Sequence, residues 1–91
     1  MKISLEKYGF CLNLTNNVKE LMTLKNGIIK LYMAENLKLI ATLFCIRDLT
    51  ISKLTDFSIQ INSEIPAYFS QSYKFETKKE ANSWHDAIVQ A

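Results

Sequence analysis

The sequence predicts a mainly β domain: seven short antiparallel strands curled into a barrel, with one C-terminal helix across its end. Three observations lead there. Apolar residues alternate at period two from Gly9 to Glu76, cut into short runs by turn-type residues. After Thr77 the period becomes helical. The composition, 48% apolar and 11% aromatic with two glycines and one proline in 91 residues, is rich enough for a core and excludes disordered or collagen-like chains. A chain of this length is expected to form a single domain over residues 1–91.

The strands are justified in order. Gly9 to Leu14 places Phe10, Leu12 and Leu14 on one face, and Thr15-Asn16-Asn17 supplies the turn, since Asn tolerates positive φ. Val18 to Leu24 follows, with Met22 and Leu24 sharing a face. Asn26-Gly27 is the strongest short hairpin signal in the chain. Ile28 to Met33 sets Ile29, Leu31 and Met33 opposite Ile28, Lys30 and Tyr32. The apolar run Leu39 to Ile46 is too short to span a membrane and reads as a buried strand. Arg47-Asp48 breaks it, and Leu49 and Ile51 mark a fifth strand. In the sixth, Phe57, Ile59 and Ile61 are expected inward and Ser58, Gln60 and Asn62 outward. Residues 63–71, with Pro66, form the longest expected loop, and Tyr73 to Glu76 is the last strand.

The helix carries Ala81, Trp84, Ile88 and Ala91 as one apolar stripe. Thr77 and Glu80 have capping-box spacing, so the Thr hydroxyl is expected to accept the Glu80 amide and the Glu80 side chain to reach back. Trp84 is expected to plug the barrel end as a structural anchor, since a buried Trp removes about 150–250 Å² from water.

Together with this order of elements, particular residues resemble the pleckstrin homology (PH) family. They are Tyr73-Lys74-Phe75-Glu76-Thr77, Lys79-Glu80 and Trp84-x-x-Ala87-Ile88, with Gly9-Phe10, Leu24-Lys25-Asn26-Gly27 and Ile46-Arg47-Asp48-Leu49-Thr50-Ile51 upstream. The likeness covers about residues 8–90. It implies a PH-like barrel of two near-orthogonal sheets and a non-enzymatic adaptor or targeting module in the cytoplasm or at a membrane periphery, with a protein or an anionic lipid as partner.

The resemblance also implies where a phosphoinositide would bind. The family's basic cluster falls on Asn13, Val18 and Glu20, none of them basic, and Glu20 would set a negative charge against a phosphate. A looser site remains: Lys19, Lys30, Lys38 and Lys53 as candidate contacts for an anionic surface, with Ile65, Tyr68 and Phe69 as loop contacts. Each lysine near an anionic leaflet contributes about 1 kcal/mol.

Other chemistry has little support. The net charge is +2, and the basic residues are lysines apart from Arg47, which argues against nucleic acid. His85 stands beside Asp86, but adjacent helix positions are not expected to face each other. One His and two cysteines do not build a zinc site, so no metal or other cofactor is expected. Cys11 and Cys45 read as free core thiols, and Met1–Lys7 lacks the apolar stretch of a signal peptide.

Overall fold

The computed structural model describes residues 6–45, 49–64 and 68–91. Seven strands and one helix follow in order: β1 (Glu6–Asn13), β2 (Val18–Lys25), β3 (Ile28–Met33), β4 (Leu39–Phe44), β5 (Leu49–Thr55), β6 (Ser58–Ser63), β7 (Phe69–Lys74) and α1 (Lys78–Gln90). All are antiparallel neighbours in one sheet of order β4-β3-β2-β1-β7-β6-β5. The two sheets anticipated from the sequence are therefore two halves of one. They meet at a narrow seam, because β1 pairs with β7 only at Leu12↔Lys74 and Asn13↔Tyr73. Among the described residues β4 and β5 do not pair, so the barrel stays open on that side.

Local chemistry sets the turns. Asn26 (φ 54°) and Gly27 (φ 72°) both adopt the left-handed conformation that a two-residue hairpin requires. Asn13 Oδ1 accepts from the Thr15 and Asn16 amides, and Asn17 takes φ 60°, which closes the β1–β2 turn. At the β5–β6 turn, Thr55 Oγ1 accepts from the Phe57 amide and meets Ser58 Oγ at 2.7 Å, which lets Ser58 lie buried. Thr77 caps α1 by accepting from the Glu80 amide at 3.1 Å. The return bond from the Glu80 side chain is not formed; that side chain lines a surface cleft instead.

The core sits between the two half-sheets and under α1. It holds Met22, Leu24, Ile29, Leu31, Leu43, Ile59, Ile61, Tyr73 and Phe75, closed by Ala81, Trp84 and Ile88. Trp84 is 1% exposed and stacks on Phe75 with ring centroids 6.0 Å apart. It also lies against β1, where a Cβ on Gly9 would come within 3.4 Å of the indole nitrogen. One ring thus touches both halves.

Several expectations are corrected. In β1 the inward face is Gly9, Cys11 and Asn13, while Phe10 and Leu14 point out; the strand begins earlier than the alternation suggested, and burial follows the opposite parity. Phe57 lies in a turn and is partly exposed. Of the expected loop over residues 63–71, Ser63 belongs to β6 and Phe69, Ser70 and Gln71 to β7, with Ser63 pairing with Phe69; residues 65–67 lie outside the described residues. Ile46, Arg47 and Asp48 lie outside the described residues.

Candidate functional site

A buried polar cluster stands at the seam. Glu20 is 1% exposed and faces the interior. Asn13 Nδ2 donates to its Oε2 at 2.9 Å, and Tyr73 Oη donates to its Oε1 at 3.3 Å. A buried carboxyl group is costly unless its oxygens are partnered, and here each oxygen has a donor from a different strand. Glu20 therefore joins β2, β1 and β7 and does not confront a surface phosphate. Burial, reinforced by Glu20, pushes the Cys11 thiol up to about 12. The same two causes, in the same order, raise Tyr73 well above the ordinary phenol range. Both groups stay protonated at neutral pH, and the Cys11 thiol is inert.

The surface offers a cleft at the corner where β1 parts from β7 and α1. After Lys74 the chain parts from β1, while the Phe75 amide still follows the β6 register by donating to Phe57 O and the Phe75 ring stacks on Trp84. This opens a hollow of about 780 Å³ along Lys7–Leu12, walled by Phe57, Lys74, Glu76, Glu80 and Trp84. A shallower hollow of about 490 Å³ continues past Phe10 and Lys19 to Met33 and Glu35. Lys7 Nζ lies 5.1 Å over the Trp84 ring and Lys19 Nζ 5.2 Å over the Phe10 ring, each ammonium held by an aromatic face.

Next to the cleft, the outer face of β1–β4 carries an apolar row among its lysines and threonines. Phe10 pairs with Leu21, Leu21 with Tyr32 and Tyr32 with Leu39, a row across four strands, with Tyr8 beyond it. Tyr8 is 81% exposed, Phe10 50% and Leu39 51%. Sequence reading missed this surface because it put Phe10 in the core. The signal available was the parity of Gly9 and Cys11, the only small or thiol side chains on that strand.

The lysines named from sequence divide. Lys19 and Lys38 share the end of the barrel that carries the β1–β2, β3–β4 and β6–β7 loops: Lys19 O accepts from the Ala34 amide and Lys38 O from the Met33 amide. Lys30 lies on the outer face of β3, opposite Thr23 and Thr42. Lys53 is on β5 in the other half, where its Nζ donates to Asn82 Oδ1 on α1. The four do not converge. Tyr68 is 81% exposed, whereas Phe69 is a β7 residue packed against the core; Ile65 lies outside the described residues.

His85 Nδ1 does meet Asp86 Oδ1, at 3.1 Å, since the side chains bend toward each other on the exposed flank of α1. The His85 side chain has no other hydrogen-bond partner among the described residues. Nor do those residues gather three or more His, Cys, Asp or Glu side chains as a metal site would require. No helix among them is long and apolar enough to cross a membrane.

Comparison with solved structures decides the architecture. The chain aligns with the solution structure of the PH domain of human oxysterol binding protein-related protein 11, at a TM-score of 0.72 and 17% identity, covering 93% of this chain and 78% of that one. The protein has a PH-like fold. No protein-family model matches the sequence, and no curated protein matches it significantly. At this sequence identity the PH-like domain shares the fold alone. Fold of this kind hosts many functions, so function has to be argued from the cleft, the apolar row and the loops.

Proposed function

We propose that this PH-like domain is a non-catalytic adaptor or targeting module that works by binding a protein partner, at or near a membrane, without stereospecific recognition of a phosphoinositide headgroup. The observation that carries the reading is the row Phe10–Leu21–Tyr32–Leu39 beside the cleft, exposed at its two ends and half-buried between them. Contiguous apolar surface of this kind on a soluble fold marks a contact with another macromolecule. The inward orientation of Asn13 and Glu20 supports it further, since the positions that would need to be basic are occupied by groups bonded to one another.

A peripheral membrane role is the second reading, favoured by exposed Leu14, Leu37 and Tyr68 near Lys19 and Lys38. Charge weighs against it. Glu35 and Glu64 share that end of the barrel, so two acidic residues balance the two lysines and leave no net attraction to anionic lipid. Sedimentation with neutral, anionic and phosphoinositide-doped vesicles at two salt concentrations tests the choice. The expected result is equal, weak association with all three. Salt-sensitive binding to anionic vesicles that Lys19→Glu and Lys38→Glu weaken would establish the membrane reading instead.

A further inference from the structure

Among the described residues, the edge of β1 facing the cleft is an unfilled strand position. In an antiparallel ladder the N–H and C=O of one residue point to the same side, and the side alternates along the strand. The Leu14 amide donates to Ser72 O, so Leu12, Phe10 and Tyr8 direct their backbone groups toward the same side. Pairing with β7 stops at Leu12↔Lys74. No described residue pairs with Tyr8 or Phe10 there, although β2 pairs with β1 along its entire length.

We infer that this edge takes up an extended, acidic segment of a partner protein, added as a strand antiparallel to β1 between that strand and the β7–α1 corner. The inference rests on the protein-binding reading and names its site. Main-chain bonds to Tyr8 and Phe10 supply affinity, as in other cases of strand addition, and the aromatic walls receive alternate side chains. The cleft follows Lys7–Leu12, roughly 20 Å of strand. Charge selects the occupant. The lining has Lys7, Lys19 and Lys74 against Glu76 and Glu80, and neither Lys7 nor Lys19 has an ion-pair partner among the described residues. Their ammonium groups, over the Trp84 and Phe10 rings, both line the cleft, where carboxylates of the incoming strand would meet them. A second copy of the chain is a poorer occupant, because the edge is recessed behind Trp84, Glu80 and Phe57 and admits one strand more readily than a whole sheet. The outer edges are also less suited. Pairing of β4 with β3 slips at Leu31/Tyr32, pairing of β5 with β6 slips at Lys53/Thr55, and α1 packs against β5.

The test is selection of phage-displayed random heptapeptides on the immobilised 91-residue chain. Enriched peptides are expected to alternate apolar and polar residues and to carry more Asp and Glu than Lys and Arg. Tyr8→Pro removes the N–H that faces the cleft and spares the bonds to β2, a substitution that edge positions tolerate. It is expected to weaken binding at least about tenfold, against less than about threefold for Tyr8→Ala, which keeps the amide. If Tyr8→Pro does not fold, alternate N-methylation of the selected peptide is expected to give the same loss on the unmodified chain. Peptides indifferent to both changes would overturn strand addition while leaving a protein-binding module in place. Failure to enrich any peptide would overturn the inference, and joined to salt-sensitive vesicle binding it would overturn the protein-binding reading as well. A β1-mediated dimer that Tyr8→Pro dissolves would show that a second copy is the occupant.

Discussion

The two halves of the sheet bury the same kind of inner face and differ on the outer one. Outside β6 and β7 runs a polar ladder. Gln60 Nε2 donates to Asn62 Oδ1 and Ser70 Oγ at 3.0 Å each, Ser70 Oγ donates to Asn62 Oδ1 at 2.6 Å, and Ser72 Oγ donates to Gln60 Oε1. Outside β1–β4 runs the apolar row Phe10–Leu21–Tyr32–Leu39. The core dictates one face of each strand and leaves the other to solubility or to binding. Where the free face is a hydrogen-bonded polar network, it is finished as a water surface. Where it is aromatic and aliphatic, it is the surface on which the proposed protein contact rests.

The largest expected effect comes from removing what both halves share. Trp84→Ala takes away the ring that touches Phe75 and Gly9 and should cost about 3–5 kcal/mol. In a domain with a margin of about 5–15 kcal/mol, that is enough to abolish or severely broaden cooperative thermal unfolding, read by near-ultraviolet circular dichroism. A normal sharp transition would mean that the halves hold together without the helix.

The seam comes next. Asn13→Ala removes a donor to Glu20 and the two bonds that the Asn13 side chain accepts within the β1–β2 turn; Tyr73→Phe removes only the second donor to Glu20. Each is expected to destabilise by about 1–3 kcal/mol in urea unfolding, Asn13→Ala more than Tyr73→Phe. Equal, negligible losses would show that the seam needs no polar bolt.

Alkaline titration probes the same seam more gently. Burial and Glu20 raise the Cys11 thiol to about 12 in the folded chain. Below about pH 8.5 the thiol is protonated in both states and stability does not change through this group. Above that the unfolded chain loses its proton first, so stability falls between about pH 8.5 and 12, by at most about 1.4 kcal/mol per pH unit. Tyr73, also raised, adds to the fall once its own unfolded value is passed. Urea midpoints from pH 8 to 10.5 should decline, and Cys11→Ala should flatten the first part of the decline.

Exchanging the outer faces should have the smallest effect on stability. Phe10→Ser with Tyr32→Ser on one half, or Gln60→Val with Ser72→Val on the other, should shift unfolding by about 1 kcal/mol or less, since these side chains are at most partly buried. Association should move in opposite directions. Sedimentation velocity should show the first pair less prone to self-associate than the parent and the second pair more so. If both pairs behave like the parent, the apolar row is not a contact surface.

Much of the fold was legible from spacing alone. Asn26-Gly27 announced its hairpin, Thr77 its cap, and Ala81, Trp84 and Ile88 their buried stripe, because each depends on backbone preferences or periods within a few residues. The periods supplied the order of elements, that order with particular residues resembled a PH domain, and the solved PH domain of 17% identity shares the architecture. Less of the site was legible. Alternation fixes that residues i and i+2 share a face, but not which face is inside, and in β1 the larger side chains proved to be the outer set. The sign of Glu20 was plain in the sequence; its direction was not, since its partners Asn13 and Tyr73 are 7 and 53 residues away.

The sequence by itself determined the strands, their turns, the helix and the ring that seals it, all set by local sterics and hydrophobic period. Only the tertiary structure decided that β7 parts from β1 after Lys74, that among the described residues β1 keeps a free edge there, and that an apolar row lies beside it. Those features depend on where distant segments lie relative to one another. The Phe75 amide continues the β6–β7 register through Phe57 O, and no described residue pairs with Tyr8 or Phe10 on that side.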